Sequence, residues 1–108
     1  VKIWGNGKAK RELMHVNDLA EACVYLMNKK FKDDFINIGN GTQKTIITYA
    51  KAISKILAVK PKFVFDKKRP NGMKTKVLDI TRIKKLGWKS KINLSDGIKS
   101  TYSFYKKL

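Results

Sequence analysis

Side chains able to do acid–base or nucleophilic chemistry are few: one histidine, His15, one cysteine, Cys23, and eight carboxylates against 25 cations. His15 has no neighbouring cysteine nucleophile, and no carboxylate pair or metal-ligand spacing stands out. Two Tyr-x-x-x-Lys spacings occur, at Tyr25–Lys29 and Tyr102–Lys106. That spacing puts both side chains on one helical face, where an ammonium can lower a tyrosine pKa. With four tyrosines and about a fifth of positions lysine, chance supplies close to one match, and neither pair is assigned a catalytic role. Gly5-Asn6-Gly7 is not the dinucleotide fingerprint, because Lys10 stands where a third glycine would fall and no helical pattern follows. The chain by itself demands no active site, and no residue of it is assigned a catalytic, cofactor-binding or metal-binding role.

The formal charge of +17 raises the question of a polyanionic partner. Of the 25 basic residues only Arg11, Arg69 and Arg82 are arginine, the residue that reads phosphate and guanine with two parallel hydrogen bonds. The lysines are spread over every segment, as in a lysine-biased solvated surface, so nucleic acid is set aside. A lysine-rich module binding polyanions electrostatically remains the alternative from a different class.

The elements that must position these residues follow from periodicity. Val1–Trp4 alternates as a short strand, Gly5–Gly7 turns, and Arg11–Val16 reads as a second extended run, a hairpin-like or looped entry. From Asn17 the period becomes helical, with Leu19, Ala20, Cys23, Leu26 and Met27 as the apolar side and Asn17 or Asp18 as cap. Cys23 is expected as a small core residue without a disulfide partner. Phe35–Ile38 reads as a strand entering a glycine turn, with Gly39 and Gly41 at positive backbone angles. Thr45 caps a helix whose face is Ile46, Ile47, Ala50, Ile53, Ile56 and Leu57. Pro61 ends it, Phe63–Phe65 forms a strand, and Asp66–Thr75 is a long basic loop. Asp79 is expected to cap a helix closed by Gly87, and Ser95 the last helix, with Ile98, Tyr102 and Tyr105 on its face. Strands alternating with about four helices make this an α/β unit, one domain over residues 1–108. Three strands make a thin sheet, so we expect the chain, which starts strand-like at Val1, to be an excised piece of a longer protein. No apolar run or leader suggests export, which places the parent in the cytoplasm.

The stretch Trp4–Ala22, WGNGKAKRELMHVNDLAEA, resembles the segment that extended short-chain dehydrogenases/reductases acting on nucleotide sugars carry after their cofactor half. The similarity continues in order through Phe35–Gly41, Phe65–Met73, Lys76–Asp79, Leu86–Trp88 and Gly97–Tyr105, covering essentially the whole chain. It is closest to the GDP-L-fucose synthase family, with Arg69 for the usual lysine, Asn17 for an acidic residue and Phe104 for tryptophan. Other nucleotide-sugar epimerases and dehydratases share the Arg11–Ala22 segment but are less similar in the later patterns.

The resemblance implies an NADPH-dependent parent that epimerises GDP-4-keto-6-deoxy-mannose at C3 and C5 and reduces its 4-keto group. It further implies a cytoplasmic homodimer whose cofactor and catalytic groups lie upstream, so that this substrate-binding C-terminal portion is inactive alone. Matched residue by residue, Trp4 lines the substrate pocket, Arg11 faces the diphosphate and Lys76 is the second cation, with Arg69 and Lys62 as weaker contributors. Two parallel hydrogen bonds from an arginine suit a diphosphate. Trp4 as an ordinary core aromatic, and Arg11 in an ion pair with Glu12 or Asp18, stay open at this point. His15 is expected to buttress the turn before the helix rather than to react.

Overall fold

In a computed structural model describing all of residues 1–108, five short strands and four helices alternate along the chain. The order is β1 (Lys2–Trp4), β2 (Lys10–Glu12), α1 (Val16–Met27), β3 (Gln43–Thr45), α2 (Ile46–Ile56), β4 (Val64–Asp66), β5 (Thr75–Lys76), α3 (Thr81–Lys85) and α4 (Leu94–Tyr105). The α/β expectation and the four helices are borne out. The strands do not form a hairpin at the entry: β1 pairs in parallel with β4, whereas β2 lies between antiparallel β3 and parallel β5. The run beginning at Arg11 extends only to Glu12, because α1 already starts at Val16.

Phe35–Ile38 is not a strand here. No strand pairs with it, and Ile36 and Ile38 instead press on a small core of Ala22, Ile80, Ile83 and Trp88. Only 12 of 108 residues are buried, so that wedge between α1 and α3 holds most of the hydrophobic packing. The molecule is accordingly a slab, 49 × 34 × 19 Å. No helix is long and apolar enough to cross a membrane.

Of the apolar side expected for helix α1 only Leu26 packs on the core, because the helix is turned about its axis. Asp18 and Ala22 are buried and Tyr25 and Leu26 half-buried, while Ala20, Cys23 and Met27 are exposed. The helix carries two apolar stripes, and the one with the small Ala22 admits Ile83 and Trp88 closely; Cys23 therefore faces out rather than into the core. Asp18 caps nothing on α1. Its buried carboxylate accepts from the backbone N–H groups of Lys91 (3.2 Å) and Ile92 (2.9 Å), tying α1 to the approach to α4.

The cap of α1 is His15, whose Nδ1 accepts from Asn17 N–H at 3.2 Å while Nε2 meets Ser100 Oγ at 2.9 Å. An Nδ1 that accepts leaves the proton on Nε2, which donates to the serine and staples α1 to α4. The buttressing role expected for His15 is what the structure has. Thr45 caps α2 as expected, accepting from Thr48 N–H at 3.2 Å. Asn93, not Ser95, caps α4, accepting from Asp96 N–H at 2.9 Å, because a cap side chain must lie outside the helical backbone it reaches. Asp79 sits one residue too early to cap α3 and instead closes an Asx-type turn onto Thr81. Gly41 has the expected positive φ (73°). Gly39 does not; a Cβ there would lie 2.1 Å from Glu12 Oε1, so it is the carboxylate's approach that demands glycine.

Candidate functional site

Two strand ends and one loop build the basic end of the slab. The register Trp4↔Asp66 sets the end of β1 beside the start of the 67–74 loop, and Arg11↔Lys76 sets the two expected cations side by side on β2 and β5. Residues directly opposite in paired strands project to the same face, so the two charges meet there. Lys44 is opposite Arg11 on the other edge, making a row of three cations across the sheet. Like charges in register repel. Such a row persists because other contacts hold it, and it creates a field suited to an anion.

Arg11 is fixed by the backbone. Its Nη1 donates to the carbonyls of Lys10 (2.6 Å) and Met73 (2.7 Å), and Tyr49 Oη donates to the Arg11 carbonyl at 2.9 Å. No carboxylate pairs with it; the two ion pairs of the molecule are Arg82–Asp33 and Lys91–Glu21, so the Arg11–Glu12 or Arg11–Asp18 alternative is not realised. Five N–H groups on a guanidinium leave Nε and Nη2 free once Nη1 is used. Nη2 lies against Gly72, where a Cβ would sit 3.1 Å away.

Trp4 is 58% exposed and so is not a core aromatic. The Arg69 guanidinium stacks over its ring at 5.1 Å from the centroid. Beside this pair lies a polar cleft of 580 Å³ lined by Gly5, Asn6, Lys8, Lys67, Arg69, Pro70 and Asn71, without a carboxylate. Trp4, Arg69, Arg11 and Lys76 thus belong to one end of the molecule. Lys62 does not join them: it precedes β4, whose first residue pairs with Lys2, whereas Trp4 pairs with the last. Four residues of extended chain separate Lys62 from that end, about 13 Å at the usual strand rise.

Sequence reasoning missed Asn71 and Tyr49. Asn71-Gly72 announces a turn, but its contact with the Gly5–Gly7 turn, 65 residues away, has no local signal. Tyr49 does fall on the expected face of α2, three residues after Ile46, and its hydroxyl was the overlooked feature.

A larger concavity of 840 Å³ opens between α2 and α4, lined among others by Leu13, Tyr49, Ile53, Leu57, Ile98 and Tyr102. It is mostly apolar and holds no cluster of cations. Among titratable groups, Asp79 is held below its ordinary value of 3.8 by the Thr81 hydroxyl (2.6 Å), then the Thr81 N–H and the Arg82 charge. It faces α3 rather than the basic end. No group of His, Cys, Asp and Glu could hold a metal ion. The residues present also do not fit a dinucleotide: the Gly5–Gly7 turn runs into β2, and a pyrophosphate needs the N-terminus of a helix after such a turn.

These features define a basic, aromatic-flanked end on an α/β scaffold. Residues 1–39 match the NAD dependent epimerase/dehydratase family. The chain is similar to GDP-L-colitose synthase of Yersinia pseudotuberculosis (42% identity, 97% of this chain, 34% of that protein). It is similar also to putative GDP-L-fucose synthase 2 of Arabidopsis thaliana (39% identity, 97% of this chain, 32% of that protein). Among solved structures, MlghC, the GDP-mannoheptose C4 reductase of Campylobacter jejuni with NADP bound, superposes with a TM-score of 0.82 at 39% identity over 98% of this chain and 34% of its own. The chain spans about a third of the length of these relatives. The resemblance to GDP-L-fucose synthases and related GDP-sugar reductases is therefore borne out.

Proposed function

We propose that this chain is the nucleotide-sugar-binding portion of an NADPH-dependent GDP-sugar reductase and epimerase of the GDP-L-fucose synthase type. The observation that carries the reading is the register of Arg11 against Lys76, beside Trp4 and Arg69 at the same end of the molecule. The free Nε and Nη2 edge of Arg11 takes the diphosphate, Lys76 supplies the second charge, and Trp4 with Arg69 forms a wall along the ligand. Backbone hydrogen bonds hold Arg11 before the ligand arrives, so little ordering cost remains at binding. Lys62, for the reason of position given above, is left out of this set.

In this reading residues outside this chain hold NADPH, whose hydride reduces the 4-keto group. The chain's own part is to grip the nucleotide and exclude water from one side, and the homodimer and cytoplasmic setting of the parent belong to the same proposal. The test is titration of the 108-residue chain with GDP and with UDP at fixed salt, repeated over a range of ionic strength. GDP is expected to bind more tightly than UDP, with a shallow salt dependence. Equal affinities together with a steep loss in salt would replace this reading with non-specific polyanion binding by a chain of charge +17.

A further inference from the structure

We infer that Asn71 is a positioning residue for the basic end: its side-chain oxygen latches the 69–73 loop to the Gly5–Gly7 turn and so sets where Arg69 meets Trp4 and where Arg11 lies beneath Gly72. The role assigned toward ligand rests on the nucleotide-sugar reading above; the latch itself stands on contacts alone.

Asn71 Oδ1 accepts from Asn6 N–H at 2.8 Å, the one hydrogen bond joining residues 70–72 to residues 5–8. A Cβ on Gly5 would lie 1.9 Å from that oxygen and 2.6 Å from Asn71 Cγ, so the latch requires glycine at position 5. Gly5 also has φ +67°, which a side chain rarely adopts. Asn6 in turn accepts from Lys8 N–H through its own Oδ1 at 3.0 Å. The turn N–H groups of residues 6 and 8 are therefore both occupied by asparagine oxygens. An anion arriving in the cleft is left to the side-chain cations Lys8, Lys67 and Arg69 rather than to a backbone nest.

Asn71 is also the midpoint of the span that matters. Two residues before it, Arg69 stacks on Trp4; two residues after it, the Met73 carbonyl receives Arg11. Releasing the middle loosens the span between its two anchored ends, Arg69 N–H on the Asp66 carbonyl and Lys10 N–H on the Lys74 carbonyl, because Pro70 and Gly72 on either side of Asn71 make no other hydrogen bond to the turn.

The experiment is acrylamide quenching of tryptophan fluorescence, paired with GDP titration, on the 108-residue chain. Trp88 is 3% exposed and Trp4 58%, so quenchable emission reports Trp4. Asn71→Ala is expected to increase quenching, as Arg69 leaves the ring, and to weaken GDP binding by about two- to tenfold, the range of one net hydrogen bond. Asn71→Asp keeps an oxygen acceptor, and should restore quenching to that of the unaltered chain while GDP binding stays weak because negative charge has been added. Gly5→Ala should reproduce the increased quenching independently, and far-ultraviolet circular dichroism verifies the fold of each variant. Unchanged quenching in both Asn71→Ala and Gly5→Ala overturns the latch, and so does failure of Asn71→Asp to restore it. If the unaltered chain ignores GDP, the nucleotide-sugar reading falls, while quenching still decides on the latch.

Discussion

The wedge around Ile83 and Trp88 and the basic end around Trp4 and Arg11 use the same kinds of residue to opposite ends. In the wedge, Ala22, Ile83 and Trp88 are nearly or wholly excluded from water, and Trp88 Nε1 finds Glu21 at 3.3 Å. At the basic end the other tryptophan is 58% exposed and an arginine lies across it. Burial of apolar surface is what stabilises a small fold, and the wedge holds the largest share the chain has, four of its seven buried hydrophobic residues. The basic end draws on that stability: it sets three cations in register without a carboxylate among them and leaves an aromatic ring in water. Where a fold spends residues against its own stability, a binding surface is the physical reason to look for.

The contrast breaks most readily in the wedge. Trp88→Ala removes the largest side chain of a core with few members, and a loss of about 3–5 kcal/mol is expected, enough to empty the folded state of so thin a slab. Urea denaturation followed by circular dichroism measures it, and a loss under about 1 kcal/mol would show that the wedge is not the stabilising region. At the other end Arg11→Ala should leave the urea midpoint nearly unchanged, since the carbonyls it releases can turn to water, yet weaken GDP binding about tenfold, in line with loss of a charge-assisted pair of hydrogen bonds. Calorimetric titration reads that effect. A variant that melts earlier but binds as before would reverse the assignment of the two regions.

The smallest effect belongs to Asp79, which lies in neither region's centre. Its carboxyl is held below 3.8 chiefly by the Thr81 hydroxyl. A depressed folded value means that the contribution is present above the unfolded value, near 3.8, and fades as pH falls through the lower folded one. Carbon-detected NMR titration should place Asp79 below 3.8 and bring it back toward that value in Thr81→Ala, with stability at neutral pH hardly altered because the group is fully exposed.

The helices were the most legible part of the fold. Thr45 and the periodicity from Ile46 located the start of α2 to the residue, because cap and period are both local. The strands were less legible. Gln43–Thr45 and Thr75–Lys76 have polar sequences and become strands only because β2 lies between them, whereas the apolar Phe35–Ile38 pairs with no strand and meets residues 79–82 through side chains. Of the residues proposed for the site, Trp4, Arg11 and Lys76 were named by an ordered set of motifs and Arg69 and Lys62 as weaker contributors, and the structure gathers the first three with Arg69 at one end while Lys62 lies apart. Asn71 was out of reach, since its partner Asn6 lies in a turn far upstream.

The order of residues by itself determined the α/β class, the approximate positions of the four helices and the similarity to GDP-sugar enzymes, all of which depend on local period or on motif order. Tertiary structure decided which stripe of α1 is buried, that His15 also reaches Ser100 on α4, and that Asp18 is a buried acceptor for a segment more than 70 residues away. It also decided that Arg11 meets Lys76 and that the 69–73 loop closes on the Gly5–Gly7 turn. A helix period or a cap is set by neighbours within four residues, whereas a strand register, a buried carboxylate and a latch between loops exist only once distant segments share the same space.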